Sequence, residues 1–218
     1  MKDMNPRELI TNSIEQNLLE PLSEIGFAFS KSSMSFKRKV SVFTQTIHFQ
    51  LNRKNYEGEC AEFWTSYKVS SKEYSKWYKK EFGKEAINDS LGSAMDWNIK
   101  GWEFPIIGNK KELHFQIIDE SHMDYVLDVL KHNIFTYGIP FLDNLSDWER
   151  SAHQLVTENE QFHSKACDFF LIAGKKDKAL WALEQGIEYW EKNPKASFPE
   201  EKDEIKQRMA KYFGKNYS

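Results

Sequence analysis

The chain has 218 residues, of which 40% are hydrophobic and 15% aromatic, with 30 Lys and Arg against 33 Asp and Glu and a formal net charge of −3. That length and aromatic content predict a buried core and exclude a disordered chain, while the near balance of charge excludes a surface-wide attraction to nucleic-acid phosphates. With a mean hydropathy of −0.68, no apolar run near the ~20 residues that span a bilayer and no apolar stretch in the opening "MKDMNPRELI", the expectation is a cytoplasmic protein with no membrane partner.

Asn5 can cap a first helix, with Pro6 in its first turn, Glu8 three residues after the cap, and Ile10, Ile14, Leu18 and Leu22 at helical spacing. Pro21 is expected to kink or end it before Gly26. The period then changes to two. "GFAFSK" and "SFKRKV" read as short strands, and "VFTQTIHFQLN" puts Phe43, Ile47, Phe49 and Leu51 on one face with Thr44, Thr46, His48, Gln50 and Asn52 on the other. After the loop "RKNYEGE", "CAEFWTSYKV" alternates again, with Ala61, Phe63, Tyr67 and Val69 inward and Glu62, Trp64, Ser66 and Lys68 outward.

Ser70 and Glu73 form a candidate capping box for a helix through "KEYSKWYKKEF", with an apolar stripe of Tyr74, Trp77 and Tyr78 and a stop at Gly83. "DWNIKGWEFPII" and "ELHFQII" read as two more strands joined by "GNKK". From Ser121 onward the period is helical. Ser121 caps a helix expected to close at Gly138 and Pro140, Ser146 and Glu149 suggest a second capping box, a hairpin of two helices turns at Gly174, and Pro199 opens a last helix. The predicted fold class is α+β: an antiparallel sheet with an N-terminal helix and an inserted helix over residues 1–120, followed by an all-helical region over 121–218 packed on it, either as a separate region or as part of one continuous domain.

Over about residues 14–145 the order of elements, with Gly26 and Phe27, Phe36 and Arg38, Ile47 with Gln50, and Pro140 with Leu142, resembles the bacterial domain-of-unknown-function family numbered 4304. The resemblance implies an α+β fold and a bacterial source, and supplies no mechanism. The later helical hairpin, with Ala166, Phe170, Gly174, Ala179, Leu183 and Gly186 and with Pro194 trailing it, resembles a single tetratricopeptide unit. Stacked repeats need at least three units to share a core, so a lone hairpin packed on the rest of the fold is the expectation.

The pentad "IHFQL" at 47–51 returns as "LHFQI" at 113–117. In outline this resembles the 2H phosphoesterases, in which two strands each carry His, a hydrophobic residue and a hydroxyl residue. The resemblance implies that His48 and His114 act as base and acid on a cyclic or linear phosphodiester, with Gln50 and Gln116 donating to phosphate oxygens. Gln stands where the family has Ser or Thr, and its longer amide changes that geometry. The plainer reading is a wetted sheet face that uses the same strand residues twice.

No metal site is expected, because His122, His132, His153 and His163 fall on predicted helices and no third ligand accompanies His48 and His114. No cofactor is expected either, since there is no Gly-rich phosphate loop, GxSxG elbow or HExxH. Cys60 and Cys167 form no CxxC pair and suit a reducing compartment. "FKRKV" and "KWYKK", with Trp77 and Tyr78, could touch nucleic acid, but solvated Lys faces explain them more simply.

On paired strands, Trp64, Glu62, His48 and Gln50 would share one mixed aromatic and polar face suited to a protein partner. For Trp64 itself the plainer expectation is burial under the C-terminal helices, since long aromatics are usually buried. The leading expectation for function is a non-enzymatic protein-binding, immunity or accessory protein; the alternative is the two-histidine phosphoesterase.

Overall fold

The computed structural model describes residues 5–55, 61–107, 110–111, 114–117, 120–158, 161–194 and 198–215. Cys60, most of the loop "RKNYEGE", Gly108 and Asn109 of the "GNKK" turn, Leu113 of the second pentad and the Ser121 side chain lie outside the described residues. The chain divides into two compact units, residues 1–71 with 93–143 and residues 72–92 with 144–218. The helix inserted after the long strands groups with the C-terminal helices, and the first helix after the sheet groups with the sheet.

In the first unit, helix α1 (Pro6–Glu24) is capped by Asn5, whose Oδ1 accepts from Arg7 N at 2.9 Å. It runs through Pro21 instead of ending there. A mid-helix proline costs about 3 kcal/mol, but Leu18 and Leu22, both fully buried, offset that, at roughly 2 kcal/mol each. The strands follow: β1 (Ala28–Ser30), β2 (Ser35–Val40), β3 (Phe43–Leu51) and β4 (Ala61–Ser70), then helix α2 (Lys72–Phe82) and strands β5 (Ser90–Met95), β6 (Ile106–Ile107), β7 (Lys110–Lys111) and β8 (Phe115–Ile117).

The six-stranded sheet has the order β1-β2-β3-β4-β5, with β8 also on β4, while β6 and β7 form a separate pair. Its period-two pattern is the one read from the sequence, and the apolar positions of β3 and β4 point inward. Phe36, Phe49, Phe63 and Phe115 line up across β2, β3, β4 and β8, with successive centroids 6.1, 6.2 and 5.7 Å apart. On this face α1 packs against β4 and β1, and helix α3 (Glu120–Asn133) packs against β8 and α1. Gln45 and Thr65 are buried polar residues on the inner face. Gln45 Nε2 donates to Asp143 Oδ1 at 2.9 Å while its Oε1 accepts from Arg38 Nε at 2.9 Å, and Arg38 Nη2 closes the ring on Asp143 at 2.6 Å.

Four local expectations are corrected. "DWNIKGWEFPII" is not a strand: residues 96–98 form a 3-10 turn and only Ile106–Ile107 is extended. The buried residues there, Asp96, Ile99 and Trp102, recur every three positions, the period of successive tight turns, and Gly101 at φ +88° completes the bend. The helix after Ser121 starts at Glu120 and does not close at Gly138 and Pro140. It widens into a π turn at Ile134–Gly138 and continues as α4 (Ile139–Leu145), the wide turn accommodating the N–H that Pro140 lacks. Gly138 is required for packing, because a Cβ there would meet the Tyr67 ring at 2.4 Å. Ser70 is the last residue of β4 and cannot cap α2. Asp147, not Ser146, caps α5 (Trp148–Glu158), its Oδ1 accepting from Arg150 N at 2.9 Å.

In the second unit α5 packs with α6 (His163–Ile172) and α7 (Lys176–Lys192), both of which pack with α8 (Glu200–Phe213), while α2 meets α6 through Tyr74 and Phe169 and α8 through Phe82 and Arg208. Among the described residues, 121–215 contain no strand, as the helical period predicts. A buried ion pair joins the helices: Arg208 Nε and Nη2 each donate to Asp168 at 2.7 Å, and Tyr74 Oη donates to the same carboxylate at 3.1 Å. Arg208 is 1% exposed, and breaking such a pair costs roughly 3–5 kcal/mol because one buried charge is left unpaired. Glu201 of α8 caps α6 by accepting from Ser164 N at 2.6 Å and Ser164 Oγ at 2.7 Å.

Phe49→Ala is expected to destabilise the sheet unit by about 3–5 kcal/mol in urea unfolding, since Phe49 is 1% exposed; a loss near zero would contradict its place in the ring row. A second expectation concerns pH. Burial pushes the Glu201 carboxyl up to about 7 and the His163 imidazole down to about 4. The folded state thus holds an extra proton on Glu201 between its ordinary 4.5 and 7, so this group's contribution falls as pH rises. It sheds one from His163 between 4 and its ordinary 6.5, so that contribution rises with pH. Relative to wild type, Glu201→Gln should gain stability with rising pH and His163→Asn should lose it, each by up to about 1.4 kcal/mol per pH unit between pH 4.5 and 6.5. Groups common to all three proteins, Asp168 included, drop out of the difference.

Candidate functional site

The alternation that buries the Phe row sends the other set of side chains to the opposite face of the sheet. Register places Gln50 opposite Trp64, His48 opposite Ser66 and Glu62 opposite Gln116. Trp64 Nε1 donates to Gln50 Oε1, Asn52 Nδ2 donates to Glu62 Oε2, and Gln116 Nε2 donates to Glu62 Oε1 at 3.2 Å. The face is therefore cross-braced from β3 through β4 to β8. All four residues predicted for the binding face, Trp64, Glu62, His48 and Gln50, lie on it. Trp64 is half-buried and not part of the core.

The rings around Trp64 come from sequence positions that share no motif. His114 lies 5.5 Å and Trp97 lies 6.5 Å from the Trp64 ring, and those two are 5.9 Å apart. Trp97 is 47% exposed. Asp96 holds it in place: this buried carboxylate accepts from Thr65 N at 2.7 Å, Thr65 Oγ1 at 3.1 Å and Trp97 N at 2.9 Å. Burial raises the Asp96 pKa against those hydrogen bonds.

The two pentads thus reach one face, but on opposite sides of β4 and with the Trp64 indole against His114. A groove of about 850 Å³ opens on the β2–β3 side of this face. His48, Gln50 and Trp64 line it, whereas Glu62, His114 and Gln116 are not among its described walls. The remaining walls come from the first turn of α1, the β1–β2 turn, the outer side of β2 and the start of the β3–β4 loop. The basic run "FKRKV" signalled Lys37 in the sequence; nothing in the local pattern signalled Arg7 as a groove wall or Trp97 as a neighbour of the Trp64 ring.

Burial, reinforced by the Lys37 ammonium, lowers the His48 pKa below its ordinary 6.5, so near neutral pH it stands uncharged among cations. The described residues contain no group of three or more His, Cys, Asp or Glu able to hold a metal ion. Comparison with protein-family models, with curated protein sequences and with solved structures finds no match. In an NMR pH titration the His48 ring is expected to show a midpoint below 6.5 that moves upward in Lys37→Met, because removing a nearby positive charge favours the imidazolium. An unchanged midpoint would leave burial as the sole cause.

Proposed function

We propose that this is a non-catalytic protein-binding protein whose recognition site is the groove on the outer face of its sheet, and that the occupant is an extended segment of a partner protein. The observation that carries this reading is the groove itself, whose floor joins a half-buried tryptophan to the polar side chains of β3. An aromatic anchor held in a fixed orientation beside hydrogen-bonding groups is the composition of an interface hot spot. The orientation is fixed because the indole N–H is bonded to Gln50 and the ring lies against Trp97 and His114.

The two-histidine phosphoesterase has weaker support. Only one of its imidazoles lines the groove, and the amide of Gln116 donates to Glu62, away from where a phosphate held by His48 would sit. General acid–base catalysis needs both groups within hydrogen-bond reach of one substrate.

Selection of random displayed peptides on the intact protein tests the reading. Enriched peptides are expected to lose about 2 kcal/mol or more of affinity on Trp64→Ala, and to be excluded by Thr46→Trp, which fills the groove. Peptides that bind both variants as they bind wild type would move the site elsewhere. Turnover of a 2',3'-cyclic nucleotide that disappears on either His48→Ala or His114→Ala would replace this reading with the enzyme.

A further inference from the structure

Four cations reach the groove from three separate parts of the chain: Arg7 from the first turn of α1, Lys37 from β2, and Arg53 and Lys54 from just beyond β3. No carboxylate is among its described walls, although the chain as a whole has more acidic than basic side chains. The Arg7 guanidinium is held by backbone carbonyls, donating to Lys31 O at 3.4 Å and Ser32 O at 3.1 Å, which fix its position without neutralising its charge. Hydroxyls stand among the cations: Ser33 and Ser35 are hydrogen-bonded at 2.8 Å, and Thr46 faces the same space. Donors and positive charge together select a ligand that is acceptor-rich and anionic.

Two further features separate a polypeptide from a nucleic acid. Stacking of bases needs a bare ring face, and the groove's Trp64 has the Trp97 and His114 rings tilted against it, with centroids 6.5 and 5.5 Å away. An extended chain needs an open strand edge. Pairing of β2 with β3 ends at Ser35 opposite His48, followed by one bond from Phe49 N to Met34 O at 2.9 Å, while β3 itself runs on to Leu51. Gln50 and Leu51 thus extend past β2 beside the cations.

We infer that the groove takes an acidic, extended segment of a partner protein, its carboxylates against Arg7, Lys37, Arg53 and Lys54 and its backbone along β3 beyond Phe49. This rests on the protein-binding reading above. The cations are exposed or at the surface, so salt screens their attraction and it acts over short range.

Fluorescence anisotropy with the full chain tests it, using a labelled peptide of alternating Glu and Val, its Gln–Val and Lys–Val counterparts, and short single-stranded polyuridine. The Glu–Val peptide should bind at least about tenfold more tightly than either counterpart, weaken with added salt, and lose about tenfold or more in Lys37→Glu/Arg53→Glu, a loss of roughly 1.4 kcal/mol; thermal melting would establish that this variant folds. Gln–Val binding as tight as Glu–Val, with both excluded by Thr46→Trp, would overturn the acidic assignment and leave the binding reading standing. Glu–Val binding that survives Thr46→Trp, or no binding of any peptide, would overturn both. Preferential binding of polyuridine would replace the polypeptide with a nucleic acid.

Discussion

The row of Phe36, Phe49, Phe63 and Phe115 under the sheet is the constraint on which the first unit depends. Each ring comes from a different strand, and each is no more than 1% exposed. A strand that slipped by one residue would turn its phenylalanine to solvent and its polar neighbours into the core. The row therefore fixes register, and register fixes which side chains meet on the other face. Gln50 reaches Trp64, and Glu62 reaches both Asn52 and Gln116, because the hydrophobic side of the same strands permits no other alignment.

The second unit is organised by charge as well as by apolar contact. Arg208 and Asp168 form a bidentate pair, with the guanidinium 4.7 Å from the Phe82 ring centroid and Tyr74 completing the carboxylate's hydrogen bonds. Such a pair contributes little net stability compared with apolar residues, but it penalises any docking that separates its members. It specifies one arrangement of α2, α6 and α8. Gly186 of α7 allows α6 and α8 to approach that helix closely, since a Cβ there would meet His163 Cβ and Ile205 Cδ1 at 2.7 Å. The Arg38, Gln45 and Asp143 ring is the first unit's smaller counterpart, satisfying a polar side chain that the alternation forces inward.

The groove follows from the unequal lengths of neighbouring strands. Where β2 ends, β3 continues, and the β1–β2 turn, the first turn of α1 and the outer face of β3 enclose the space left beside it. Its walls are cationic because basic residues from three separate parts of the chain converge there, while Glu62, bonded to Asn52 and Gln116, is not among the described walls. The proposed recognition would rest on fixed rings and on cations with no carboxylate among the groove's described walls.

The sequence by itself determined the elements governed by local periodicity. Strict alternation in 43–51 and 61–70 identified both strands and both faces, and helical spacing identified the C-terminal helices, because these patterns record directly which side each residue presents to the core. It misread residues 96–105 because Trp and Ile can mark either a strand or a series of tight turns, and the choice was made by the buried Asp96 carboxylate bonding to Thr65 on another strand. It placed a helix stop at Gly138 and Pro140 because the local breaker signals omit Tyr67, whose ring needs the space a glycine leaves. The pentads were legible, but their relation was not: only tertiary structure set His48 and His114 on opposite sides of β4, and only the end of β2 brought Arg7, Lys37, Arg53 and Lys54 around one groove. Periodicity is a property of neighbouring residues, whereas the convergence of charges is a property of strand order and strand length, which the chain expresses only when folded.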